Sequence, residues 1–180
     1  MAFEKHGIVP DVIDKAPPKV LDVSYPNNIS VAEGNVLTPT QVKDQPTVTW
    51  QASCDDYYLL CMSDPDSPTP KEPIFGEIKH WLVGNIPGND LSKGDVLAEY
   101  FGSGPKEGLH RYIFLLYKQP SKIDFMEKRV SRTSREGRIK FSIRNFAKQY
   151  NLGDPVAGNF YQAEWDEYVP ILHKQFEQTA

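Results

Sequence analysis

Two aspartates, Asp64 and Asp66, follow the apolar run LLCMS (59–63) in a turn that also holds Pro65, Pro68, Pro70 and Pro73. Two histidines, His80 and His110, each stand near the head of a later apolar run, with a GSGP segment (102–105) between them. These are the parts of an anion pocket. Imidazoles can donate N–H groups, and a carboxylate such as Asp64 can fix a histidine's tautomer and orientation. Gly102 and Gly104 let backbone amides approach a ligand with no Cβ in the way. Prolines set backbone angles in advance, so their loop loses little entropy when a ligand arrives. Each part also has a plainer reading. An Asp-Pro-Asp turn folds back on its own amides, any buried histidine needs partners, and glycines make hairpin loops. Only their meeting at one place favours a site.

The elements that must position them are mostly strands. Short β-branched or aromatic runs at 20–26, 29–37, 46–50, 57–63, 77–86, 95–101, 110–119 and 155–165 are bounded by Gly, Pro, Asn or Asp. Those at 57–63 and 112–117 are apolar on both faces and so belong under a covering layer on each side. Helices come late. Ile143, Phe146, Ala147 and Tyr150 recur at helical spacing over 142–150, with Ser142 as N-cap and Gly153 past the end. A terminal helix is predicted over 166–178, with Pro170 in its first turn. The expected fold class is a β-rich α+β domain spanning 1–180, without repeats or an internal linker. If the middle strands alternate in direction, Asp64, His80, the GSGP loop and His110 all fall at one end of the sheet.

A net charge of −4 argues against a nucleic-acid partner. The N-terminus lacks the apolar core of a secretory signal, and no run approaches the ~20 apolar residues of a membrane span. Cys54 and Cys61 are read as reduced core thiols of a cytoplasmic protein, and the sequon Asn28-Ile29-Ser30 as chance. Two histidines and a carboxylate could instead hold a metal, as in a hydrolase. Against that, the chain has no HExxH motif and no G-x-S-x-G elbow, so the expectation is a binder, not an enzyme, with no cofactor. Residues 128–148 gather Lys128, Arg129, Arg132, Arg135, Arg138, Lys140, Arg144 and Lys148 against Glu136. Such a run is usually a solvated face; the alternative is peripheral contact with an acidic partner or an anionic membrane.

The segments DPDSP (64–68), KHWLVGNIPG (79–88), GSGPKEGLHRYIFLLYKQ (102–119) and PVAGNFYQAEWDEYVP (155–170) resemble the signature blocks of the phosphatidylethanolamine-binding protein family, in particular its animal Raf-kinase-inhibitor branch. The resemblance covers nearly the whole chain. It implies a large central antiparallel sheet packed with a smaller sheet and flanked by helices, the last at the C-terminus, with a small anion pocket at one end. The pocket residues it implies are Asp64, Asp66, Pro68, His80, Gly102, Pro105, His110 and Tyr112, with cis peptides at Ser67-Pro68 and Gly76-Glu77. Three positions depart from the animal pattern: Phe75 and His173 replace tyrosines, and Lys106 replaces a proline. His173 and Phe176, one helical turn apart, are placed beside the mouth. The implied function is non-catalytic binding of a phospholipid head group or phosphorylated side chain, and regulation of a kinase of the Raf type. Inhibition of a serine protease and carriage of a hydrophobic ligand are the alternatives, and a monomer is the expected state.

Overall fold

In the computed structural model, which describes residues 2–177, two single-turn helices, α1 (Ala2–Lys5) and α2 (Ile8–Asp11), precede the first strands. The strands are β1 (Lys19–Val20), β2 (Asp22–Tyr25), β3 (Ile29–Ser30), β4 (Asn35–Val36), β5 (Thr47–Thr49), β6 (Tyr57–Asp64), β7 (Ile78–Pro87), β8 (Asp95–Ala98), β9 (His110–Gln119) and β10 (Ala157–Ala163). Helix α3 (Ile143–Gln149) lies between β9 and β10, and α4 (Tyr168–Glu177) closes the described chain. The large sheet runs β1-β10-β9-β6-β7-β8, with β4 also on β10, and the small sheet runs β3-β2-β5. This is the two-sheet α+β architecture expected, including the C-terminal helix.

The doubly apolar strands sit where they must. One face of the large sheet packs Leu60, Met62, Tyr112, Phe114 and Leu116 against Val23, Tyr25 and Val48 of the small sheet. The other face packs Leu59, Cys61, Ile113 and Leu115 against Phe3, Ile8, Ile143 and Phe146 of the helices. Alternation of side chains along β6 and β9 supplies both cores at once.

Several boundaries differ from the sequence reading. The runs at 20–26 and 29–37 each divide between the two sheets. Residues 19–20 and 35–36 pair parallel with β10, so the large sheet is mixed, not purely antiparallel. The cause is a buried side chain. Asn159 donates from Nδ2 to Leu21 O and Val31 O, at 2.8 and 2.9 Å, and accepts from Glu33 N at 2.8 Å. It thereby ties two distant segments to the edge of β10. Helix α3 starts behind its expected cap, Ser142 Oγ accepting from Asn145 N at 3.2 Å. Helix α4 begins at Tyr168, whose amide donates to Asp166 Oδ1; Gln178, placed in that helix by the sequence, lies outside the described residues. Cys61 is buried as expected, whereas Cys54 is exposed and is not a core thiol.

Candidate functional site

Antiparallel pairing of β6 with β7 and β9, and of β9 with β10, brings Asp64, His80, His110 and Tyr112 to one end of the large sheet. A β-bulge aims one of them. Met62 pairs with Trp81 but Ser63 pairs with Lys79, so His80 is the extra residue on β7. A bulge turns the unpaired side chain out of strict alternation, and here the His80 ring lies edge-on to Tyr112 at 5.3 Å and stacks on Phe101 at 4.3 Å.

A cavity of about 370 Å³ opens at this end, lined by Asp64, Pro68, Phe75, His80, His110, Tyr112, His173 and Phe176. Eight of the sequence-predicted residues therefore share it. Ser67, Ile78, Phe101, Gly104, Lys106, Arg135, Arg138 and Ile139 complete the lining; of these, the sequence places only Ser67, Gly104 and Lys106 near the site. Three predicted residues fall outside. Asp66 faces Arg111, which donates from Nη2 to Oδ1 at 2.8 Å and from Nε to Oδ2 at 3.0 Å. Gly102 is needed for protein packing, because a Cβ there would stand 3.0 Å from Val42 O and 3.2 Å from Lys43 Cα. Pro105 is buried and does not line the cavity. The pocket is also larger and more apolar than expected, walled by Phe75, Ile78, Phe101, Ile139 and Phe176. Ser67-Pro68 and Gly76-Glu77 are both cis, as is Val9-Pro10.

The hydrogen bonds correct the expected roles of the histidines. His80 Nδ1 lies 3.0 Å from Phe101 O, and a carbonyl only accepts, so Nδ1 carries the proton. Burial, with the charges of Arg138 and His110, pushes the imidazole down to about 3 against the help of that carbonyl. His80 is thus neutral, and its Nε2 offers a lone pair where a donor was expected. His110 has no free nitrogen. Its Nε2 donates to Glu107 O at 2.8 Å, and its Nδ1 shares a proton with Asp64 Oδ2 at 2.8 Å. Burial works against the imidazolium, but the bond to Asp64 and its charge prevail and hold His110 above its ordinary value. Burial raises Asp64 in turn. Asp64 also accepts from Asp66 N at 2.7 Å, so the turn reading and the histidine-orienting reading both hold.

Positive charge gathers at the mouth. Lys106 and Arg135 are exposed there, while the Arg138 guanidinium stacks behind Phe101 at 4.7 Å. His173 Nε2 donates to Gly104 O at 2.9 Å, leaving Nδ1 to face Arg135 Nη2 at 3.4 Å. In the basic run 128–148, Lys128, Arg129, Arg132, Arg135, Lys140 and Lys148 are exposed, whereas Arg138 is buried and Arg144 half-buried. Arg129 pairs with Asp95, Arg144 with Asp14, and Lys128 with Glu136. The run is thus largely a solvated face, as charge runs normally are, with Arg138 drawn into the fold and part of the charge offset by Asp95, Asp14 and Glu136.

Behind the cavity wall, Glu77 accepts from the amide of Ile143 at 3.2 Å. Burial raises its carboxyl from 4.5 to about 7, against the pull of that amide and of Arg144. The folded state therefore takes up a proton that the unfolded chain releases, and the stability tied to it is present below pH 4.5 and lost as pH rises through about 7. Glu77→Gln keeps an acceptor for Ile143 and abolishes the ionisation. It should stabilise the protein by about 2 kcal/mol at pH 8 and by little at pH 4. Urea denaturation at both pH values checks this, and an equal change at both would refute it.

The fold and the pocket define a class. Residues 27–162 match the family model described as PBP: Phosphatidylethanolamine-binding protein, and the chain belongs to that family. It is 40% identical over 169 residues to "Putative odorant-binding protein A5" of Drosophila melanogaster, covering 93% of this chain and 80% of that one. Among solved structures it resembles the CG7054 solution structure, with 47% identity, a TM-score of 0.76, and coverage of 94% of this chain and 97% of that one. It also resembles carboxypeptidase Y inhibitor, solved in complex with its cognate proteinase, with 29% identity, a TM-score of 0.78, and coverage of 92% and 94%.

Proposed function

We propose that this protein binds phosphate-bearing groups in the cavity without catalysis and acts as a regulator through protein contacts. The supporting observation is the layout of the site. Two exposed cations, Lys106 and Arg135, flank a mouth whose inner end holds the closed Asp64–His110 pair and neutral His80. A phosphate group meets attractive charge on entry, and apolar walls receive the carbon chain attached to it. Catalysis finds little to work with, because His110 has both nitrogens held by the protein and His80, pushed down to about 3, is a weak base. The partner class extends to a protease or a kinase of the Raf type. Likeness to an inhibitor solved with its proteinase supports a protein partner.

Asp64→Leu and His80→Leu should each weaken binding of a phosphate ester about tenfold or more, roughly 1.4 kcal/mol, with the circular-dichroism spectrum of the sheet unchanged. Unchanged calorimetric affinity in both variants would place the ligand elsewhere. A carrier of apolar small molecules is the second reading, favoured by a cavity of about 370 Å³, since small-ligand pockets begin at ~300 Å³. Tight binding of a neutral alcohol, with no affinity for any phosphate ester, would reverse the order.

A further inference from the structure

We propose that a second cavity, on the helix face of the large sheet, binds a small zwitterion of the amino-acid class. Its carboxylate is held by Tyr117 and Arg144, and its ammonium lies beside Asp154.

This cavity has a volume of about 280 Å³ and opens between α3, the segment after α2 and the turn before β10. It shares no lining residue with the site described above. Strand β9 serves both from opposite faces. Tyr112 packs toward the small sheet, and Tyr117, further along the strand, packs toward the helices.

Tyr117 carries the main observation. It is 1% exposed and lines the cavity, yet its hydroxyl has no hydrogen-bond partner among the described residues. A buried tyrosine hydroxyl normally finds one. Burial, helped by the charges of Cys61, Glu77 and Asp154, raises the phenol above its ordinary range against the pull of Arg144. It therefore stays protonated and offers an O–H. A second donor stands on the same cavity. The Arg144 Nε is buried without a hydrogen bond, since Asp14 Oδ1, although 2.9 Å away, lies out of line with the N–H. Arg144 Nη2 donates to Pro10 O at 2.5 Å, which anchors the guanidinium against α2. Two buried donors, one of them charged, call for an anionic acceptor, and a carboxylate has the oxygens to take both.

The surrounding charges decide what else the ligand carries. Lys148 follows Arg144 by one helical turn on the same face of α3, and Asp154 stands in the turn before β10. Both are exposed, both line the cavity, and neither forms an ion pair among the described residues. With Asp14 beside Arg144, the lining holds two cations and two anions. A field balanced in this way gives little reward to a bare anion. Opposite charges held apart across one cavity instead match a ligand bearing both signs. Ile13, Ala147 and Pro155 leave apolar wall for its hydrocarbon part.

The test is an NMR titration of isotope-labelled protein at pH 7 with three matched probes. These are L-leucine, 4-methylpentanoate, which lacks the ammonium, and 3-methylbutylamine, which lacks the carboxylate. L-leucine should shift the amides of Tyr117, Lys148 and Asp154 saturably, with a Kd about tenfold or more below that of either analogue. Tyr117→Phe should weaken L-leucine about tenfold, the worth of a hydrogen bond to a charged group. Its melting temperature should stay level or rise, because the lost hydroxyl had no partner in the fold. Asp154→Asn, an exposed change, should weaken L-leucine about threefold and leave 4-methylpentanoate unaffected. His80→Leu, in the other cavity, should alter none of these values. Equal or tighter binding of 4-methylpentanoate or of 3-methylbutylamine overturns the zwitterion assignment. Unchanged L-leucine affinity in both Tyr117→Phe and Asp154→Asn, or no saturable shift at these amides with L-leucine or the smaller L-alanine, overturns the site.

Discussion

Arg138→Met is expected to destabilise the protein by about 4 kcal/mol, lowering the melting temperature by roughly 8–16 °C for a chain of this size. Arg138 is only 2% exposed. Its Nε donates to Ser134 O at 2.8 Å, one terminal nitrogen to Lys79 O at 2.9 Å, and the other to Glu99 O and Ser131 O at 2.9 and 2.8 Å. Burial lowers the guanidinium to about 10, so it remains charged at neutral pH. One side chain thus closes three segments over the end of β7. Methionine keeps most of the packing on Phe101 but leaves those carbonyls without donors, at ~1–3 kcal/mol for each that water cannot reach. Lysine should fare little better, because one ammonium cannot reproduce a planar fork of five donors. Ligand affinity should fall as well, since the segment so anchored carries Arg135 and Ile139 at the cavity mouth. The opposing effect is real: a buried charge bears a large desolvation cost, and apolar replacements of such groups are sometimes neutral. Chemical denaturation decides between them. A loss below about 1 kcal/mol would mean that desolvation cancels the hydrogen bonds.

Arg138 also marks where the sequence stops being readable. In the chain it is one basic residue among eight over 128–148, and charge runs of that kind normally face water. Nothing local distinguishes the arginine that is buried, because its acceptors come from residues 79, 99, 131 and 134. The core strands β6, β7 and β9 were readable because apolar residues on both faces, bounded by Gly and Pro, are a local property. The edge strands β1 and β4 were not, since their pairing depends on Asn159, more than a hundred residues away. His80 shows the same limit inside the site. Its type and place near the head of β7 could be read, but the bulge that aims it, and the Phe101 carbonyl that fixes its tautomer, appear only once the strands are paired. Helices α1 and α2 are single turns, too short for a periodic signal.

The two aspartates of the Asp-Pro-Asp turn, equivalent by sequence, should separate under mutation. Asp66→Ala is expected to cost about 3–4 kcal/mol of stability while leaving ligand affinity within about threefold, measured where the variant is folded. Asp66 is 3% exposed. Its Oδ2 accepts from the Arg111 amide at 2.9 Å and from Nε at 3.0 Å, and its Oδ1 accepts from Nη2 at 2.8 Å. The same guanidinium reaches His6 O at 2.8 Å and Asp11 at 3.0 Å, so the pair fastens the turn after β6 to the start of β9 and to the N-terminal helices. Removing the carboxylate leaves a half-buried cation facing only the more exposed Asp11, and an unpaired buried charge costs more than the pair returned. Asp66→Asn keeps one acceptor oxygen but turns an NH2 toward the other donors of Arg111, so it should lose about 2–3 kcal/mol, somewhat less than alanine. Asp64 differs because its carboxylate lines the cavity and holds His110; its replacement should act first on affinity. Denaturation and calorimetry on both single variants test the division. If Asp66→Ala abolished binding while Asp64→Leu spared it, the assignment of one aspartate to the fold and the other to the ligand would be reversed.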